Sequence, residues 1–152
     1  MLNRVTIEPV KETDLPSVEM LLKELMEVVT DAGGFDIENS TENCRILLKN
    51  SAHHMLVARN IDGVLGFVNF TSRRTILHSG PSGLIDELVV SKSSRGTGIG
   101  KQLILAVIDR CRELGCCEVE VSTEKSNIQA RRFYKSCGFA EDAVLLEIDL
   151  GE

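Results

Sequence analysis

Residues 93–108 read SSRGTGIGKQLILAVI: Gly96, Gly98 and Gly100 fall within five positions, and an apolar helix follows at once. Glycine at this density lets the backbone turn sharply and lie against a ligand. A Walker A loop needs G-x-x-x-x-G-K-[ST], but Arg95 holds the first glycine's place and Gln102 that of the Ser/Thr. A dinucleotide fingerprint, G-x-G-x-x-G, fails in both registers, where the last place is Lys101 or Leu103. The physical logic survives both failures. A turn into a helix N-terminus aims consecutive N–H groups at one point, where the helix dipole also favours an anion. With Arg95 before it and Lys101 in its first turn, the segment reads as a pyrophosphate cradle.

Working outward, LIDELVV at 84–90 reads as the strand feeding this turn. Leu103, Ile104, Val107, Ile108, Cys111 and Leu114 line one side of the helix that leaves it, and CEVEVS at 117–122 alternates like a half-buried strand. These three pieces predict a parallel crossover between strands 84–90 and 117–122. Upstream, Val5–Pro9 reads as a first strand, 13–29 as an amphipathic helix and 41–49 as a second helix. HHMLVARN and VLGFVNFTSRR, joined at Asp62-Gly63, predict a hairpin. Downstream, Ser126-x-x-Gln129 has the form of a capping box that starts a helix, Gly138 stops it, and VLLEIDL at 144–150 alternates as a closing strand. The fold class is therefore mixed α/β: a single domain over 1–152, with a mostly antiparallel twisted sheet of six to seven strands and about four helices.

A chain of 152 residues can bury about 68–70% of its unfolded surface. A net charge of −6 argues against a nucleic-acid surface. No apolar run reaches the roughly 20 residues of a membrane span, and the start lacks the pattern of a signal peptide, so a cytoplasmic protein is expected. The five cysteines form no CxxC pair, which predicts neither a disulfide framework nor a metal site.

Arg95-Gly96-Thr97-Gly98-Ile99-Gly100 resembles the R-x-x-G-x-G segment of GNAT-superfamily N-acetyltransferases, which binds the pyrophosphate of acetyl-CoA. NIQARRFYKSCGF at 127–139 resembles the family's N-x-x-A-x-x-F-Y-x-x-x-G-F segment, and the two lie at the family's usual separation. The resemblance implies acetyl-CoA as co-substrate and a primary amine as acceptor. It implies cofactor contacts from Leu88, Val89 and Val90 in the strand, and from Arg95, Gly96, Thr97, Gly98, Ile99, Gly100 and Lys101 in the loop and first helical turn. Asn127, Ala130 and Tyr134 in the second motif complete the set.

The same resemblance supplies catalytic candidates. An amine of pKa about 10.4 is only about 0.1% neutral near pH 7.4, a handicap of roughly 4 kcal/mol, so a carboxylate or a water it holds is wanted as base. Glu87 is favoured over Asp86; equally, both acids can serve neighbouring helices or loops. A backbone N–H near Leu88 or Val89 is the implied donor to the thioester oxygen. Tyr134, the only tyrosine, stands at the family's general-acid position and is protonated at neutral pH; equally, a lone tyrosine on a helix can be a packing residue with a wet hydroxyl. Asn127 is assigned either to the pantetheine arm or to a helix cap.

Asp31, Asp36, Glu38 and Glu42 suit a cationic amine, or simply a solvated loop; Arg73 and Arg74 suit an acidic group on the acceptor, or plain exposure. Small amine, amino acid, aminoglycoside and protein amino group all stay open, as does a homodimer. One rival is a non-catalytic acyl-CoA-sensing module on the same fold. A nucleotide-binding protein is the other.

Overall fold

The computed structural model describes residues 4–29 and 34–151. Five strands form one sheet in chain order: β1 (Thr6–Pro9), β2 (His53–Asn60), β3 (Gly63–Arg73), β4 (Ser82–Val90) and β5 (Glu118–Val121). β1 to β4 run antiparallel, and β5 joins β4 in parallel through α3 (Ile99–Glu113), the expected crossover. The hairpin lies where Asp62-Gly63 puts it, with Gly63 at φ 121°.

Two apolar layers sandwich the sheet. On one face α1 (Leu15–Val28) and α2 (Ile37–Leu47) cover Met55, Val57, Phe67 and Val89, with Val18, Leu21, Leu22 and Cys44 turned inward. On the other, Leu103, Ile104, Val107 and Cys111 of α3 pack on Leu56, Ala58, Val68, Phe70 and Ile85, and α4 (Ile128–Ser136) adds Phe133 and Tyr134. Close approach of α3 depends on Gly66 in β3, where a Cβ would stand 3.0 Å from Leu103 Cδ1 and 3.2 Å from Val89 O. Leu103 itself is fully buried. Leu103→Ala is expected to cost about 2–5 kcal/mol in urea unfolding, since the packed layer cannot collapse into the space left.

A charged cluster fixes the N-terminal end. Arg59 donates to Glu8 at 2.7 Å and to the buried Asp14 at 2.8 Å. Burial alone would raise the Asp14 carboxyl, but the backbone N–H of Lys11 and the Arg59 guanidinium outweigh it and hold the group below its ordinary value. Asp14 therefore contributes stability above its unfolded pKa and loses it as pH falls through the lower folded one.

Three sequence expectations need correction. The second helix begins at Ile37, not 41, because Asp36 caps it by accepting from Glu38 N–H at 3.0 Å. The fourth begins at Ile128 with Asn127 as its cap, and Ser126 plays no part as a side-chain cap. The closing strand is absent: 144–150 has no regular structure, and Val144, Leu145, Leu146, Ile148 and Leu150 are 64–89% exposed. Alternation fixes which side chains would share a face but provides no partner strand. The sheet ends at the four-residue β5, so the described residues hold five strands where six or seven were expected.

Candidate active site

The site is organised by the divergence of β4 and β5. Their ladder covers only Ser82–Ile85 against Glu118–Val121, so β4 from residue 86 onward pairs with β3 alone. The register also skips Asp86: Asn69 faces Glu87, whereas Phe70 faces Ile85. A bulge of this kind bends a strand and re-aims its side chains. Beyond it Glu87 and Val89 share the face covered by α1 and α2, while Leu88 and Val90 face α3.

At the end of β4 the chain passes through a short turn into the glycine loop. Lys92 ties that turn to α1, its N–H donating to Glu24 at 2.9 Å and its ammonium to Glu27 at 2.6 Å. Gly96 and Gly98 take φ of 76° and 87°, values a side chain would oppose, and a Cβ on either would enter open space. Gly98 caps α3 with no side chain closing it. Gln102 N–H is the first to bond back, to Gly98 O at 3.0 Å, which leaves the amides of Ile99, Gly100 and Lys101 without helical acceptors. Unbonded amides at a helix start, with Lys101 exposed beside them, suit an anion. Arg95, also exposed, donates to Val90 O at 3.3 Å, and the Thr97 hydroxyl turns back to Ser94 O.

Gly100 has a different constraint. A Cβ there would lie 3.2 Å from Phe133 Cζ, so the glycine sets how closely α4 approaches α3. Asn127 accepts from Ala130 N–H at 3.0 Å, which commits its Oδ1 to the helix cap and leaves its amide nitrogen free to donate. Tyr134 stacks edge-on between Phe133, at 5.2 Å, and Phe139, at 5.7 Å. Burial pushes its phenol above the ordinary value, and the nearby Cys137 thiol adds to this.

Glu87 is half-buried and receives a hydrogen bond from Asn69 Nδ2 at 3.1 Å. Burial raises its carboxyl, Asn69 pulls it down, Asp86 pushes it up again and His53 lowers it. Asn69 escapes the sequence reading. An asparagine inside the apolar run VLGFVNF is the one trace that Asn69 leaves.

The acids around α2 are mostly spent locally. Asp36 caps the helix, Glu38 sits in its first turn, and Glu42 pairs with Arg45 at 2.6 Å. Asp31 lies outside the described residues. Arg73 and Arg74 are exposed at the far end of β3.

A diverging β4/β5 pair, a glycine turn into α3 and this sheet order define the acetyltransferase class of fold. The chain belongs to the Acetyltransferase (GNAT) family, whose model matches residues 18–139. An aminoalkylphosphonate N-acetyltransferase of Salmonella typhimurium is 31% identical over 84% of this chain and 80% of its own. A probable glucosamine 6-phosphate N-acetyltransferase of Oryza sativa is 28% identical over 52% of this chain; the match spans only 46% of that protein. Among solved structures, an aminoglycoside N-acetyltransferase in complex with CoA superposes with a TM-score of 0.84 at 22% identity, covering 98% of this chain and 97% of the other. An aminoglycoside acetyltransferase from an uncultured soil metagenomic sample gives 0.78 at 26% identity, covering 97% of each chain.

Proposed function

We propose that this protein, as a single acetyltransferase domain in the cytoplasm, moves the acetyl group of acetyl-CoA directly to a primary amine in a ternary complex. The observation that carries the reading is the gap where β4 leaves β5. It opens beside a glycine-capped helix start that no side chain closes, and carboxylate and phenol candidates stand on opposite faces of the sheet. Open space at Gly96 and Gly98 and the unbonded amides of 99–101 fit a diphosphate linkage. β4 beyond Ile85 has an unpaired edge on which an extended amide-bearing arm can lie, and an N–H near Leu88 or Val89 is suited to the carbonyl oxygen of the thioester.

The acceptor is a primary amine. Its relatives' names point to aminoalkylphosphonates, glucosamine 6-phosphate and aminoglycosides as the first compounds to try. The test is free-thiol release from acetyl-CoA across a panel of these, amino acids and a peptide N-terminus. Thiol release with at least one amine is expected; binding of CoA with no release from any of them would favour the acyl-CoA-sensing alternative. Calorimetry tests the cradle separately. Gly98→Val forces a branched side chain into left-handed backbone and fills the open space, and it is expected to weaken CoA binding about 5- to 30-fold, the equivalent of a conformational cost of roughly 1–2 kcal/mol. Equal heats and affinities for the two proteins would place the diphosphate elsewhere.

A further inference from the structure

Asn69 is only 2% exposed in the middle of β3, flanked by the core residues Phe67, Val68 and Phe70. A polar amide is a poor choice for such a place unless it bonds something, because a buried unsatisfied polar atom keeps its desolvation penalty. Its Nδ2 donates to Glu87 Oε1 at 3.1 Å, yet its Oδ1 is buried and receives no hydrogen bond. The fold thus accepts an orphan acceptor in order to keep one donor on one carboxylate.

We propose that Asn69 is a positioning residue for Glu87, holding its carboxylate in place on the α1/α2 face of the sheet and favouring the ionised form that can take a proton. The inference rests on Glu87 being the base. Its logic is geometric. The bulge at Asp86 brings Glu87 directly opposite Asn69 across the β3/β4 ladder, and cross-strand neighbours in register hold one another without long, flexible reach. An ionised carboxylate is an acceptor only, and a donated N–H stabilises it over the neutral acid.

Other groups bear on the same carboxylate from each neighbouring element. Asp86 on β4 opposes its charge and His53 on β2 supports it. On α2, the Cys44 thiol is pushed up to about 11 by burial and then by Glu87, so it stays neutral beside the acid. α1 turns apolar Leu21 and Leu22 onto this face, while its acids Glu24 and Glu27 are engaged with Lys92. Of all these, Asn69 alone makes a hydrogen bond to Glu87, which singles it out as the residue that orients the carboxylate and opposes the rise that burial imposes.

A glutamate-selective carboxyl NMR titration of the full chain decides the matter without any substrate. The Glu87 resonance is identified by its loss in Glu87→Gln. In Asn69→Ala the midpoint of that resonance is expected to move to higher pH, and in Asn69→Asp, which keeps the shape and adds a like charge, to move further. On the acid limb, thiol release with the fastest amine of the panel should fall about tenfold, since a hydrogen bond to a charged group is worth roughly 1.5 kcal/mol or more. KM for acetyl-CoA should hold, and in Glu87→Gln the same Asn69 substitutions should cost nothing more. An unmoved midpoint in folded Asn69→Asp overturns the proposal, as does a uniform loss of rate at every pH. If instead Glu87→Gln turns over like the parent, the base assignment fails, and the NMR midpoint still reports whether Asn69 controls Glu87.

Discussion

Glu87→Gln is expected to lower kcat/KM for thiol release about 10²–10⁴-fold at neutral pH, the range that a positioned general base contributes. Glutamine keeps the shape and can still accept from Asn69 Nδ2, so the loss isolates proton removal from packing. The raised carboxyl of Glu87 sets the form of the pH profile. Because the base acts ionised, the acid limb of the parent should lie above the ordinary carboxylate range, with burial as the main cause. In the variant that limb should vanish, and the deficit should shrink as pH rises and the amine loses its own proton to water. A raised base is also a better match for its task, since it narrows the distance in pKa between carboxyl and ammonium. Parent-like kcat/KM in the variant would remove Glu87 from the chemistry and return attention to Asp86, which the bulge leaves exposed beside it.

Much of this arrangement could be read locally. The hairpin followed from Asp62-Gly63, α3 from its apolar spacing, and the end of α4 from Gly138, which takes φ 110°. Each is decided within a few residues of chain. What escaped depends on relations between distant segments. The β4 bulge is a mismatch in register between two strands, and neither strand signals it alone. Asn69 reads as a blemish in an apolar strand until β4 places a carboxylate against it. VLLEIDL has the alternation of a strand, but a ladder also needs an edge in register, and none pairs with it. Capping failed for a subtler reason: Ser126 and Asn127 are both good caps, and the choice turned on where the chain enters the helix.

The two sides of the proposed site also differ in how local they are. The proposed cradle is a contiguous run of glycines at positive φ and amides without helical acceptors, so its features stand in sequence and in geometry alike. The acids expected to face an acceptor lie on and before α2, where Asp36 caps the helix and Glu42 pairs with Arg45.

Tyr134→Phe is expected to lower kcat with little change in the affinity for CoA, because the ring stays packed between Phe133 and Phe139 and only the hydroxyl is lost. Magnitudes limit the size of the effect. A phenol near pKa 10 giving its proton to a thiolate near 8.5 works uphill by about 2 kcal/mol in solution, and burial raises the Tyr134 phenol further. A complete transfer ahead of C–S cleavage is therefore costly. The hydroxyl can instead donate a hydrogen bond to sulfur as charge builds, passing the proton only as the bond breaks. A charge-assisted hydrogen bond of roughly 1.5–3 kcal/mol corresponds to about a 10- to 100-fold loss in kcat, smaller than the loss expected at Glu87. The position of the ring is compatible with this division of labour: Tyr134 packs on the α3 face and Glu87 lies on the α1/α2 face, so the two proposed roles fall on opposite sides of β4. Single-turnover kinetics, in which product release drops out, make the decisive measurement. An unchanged chemical step in Tyr134→Phe would assign thiolate protonation to solvent and leave Tyr134 as a packing residue of α4.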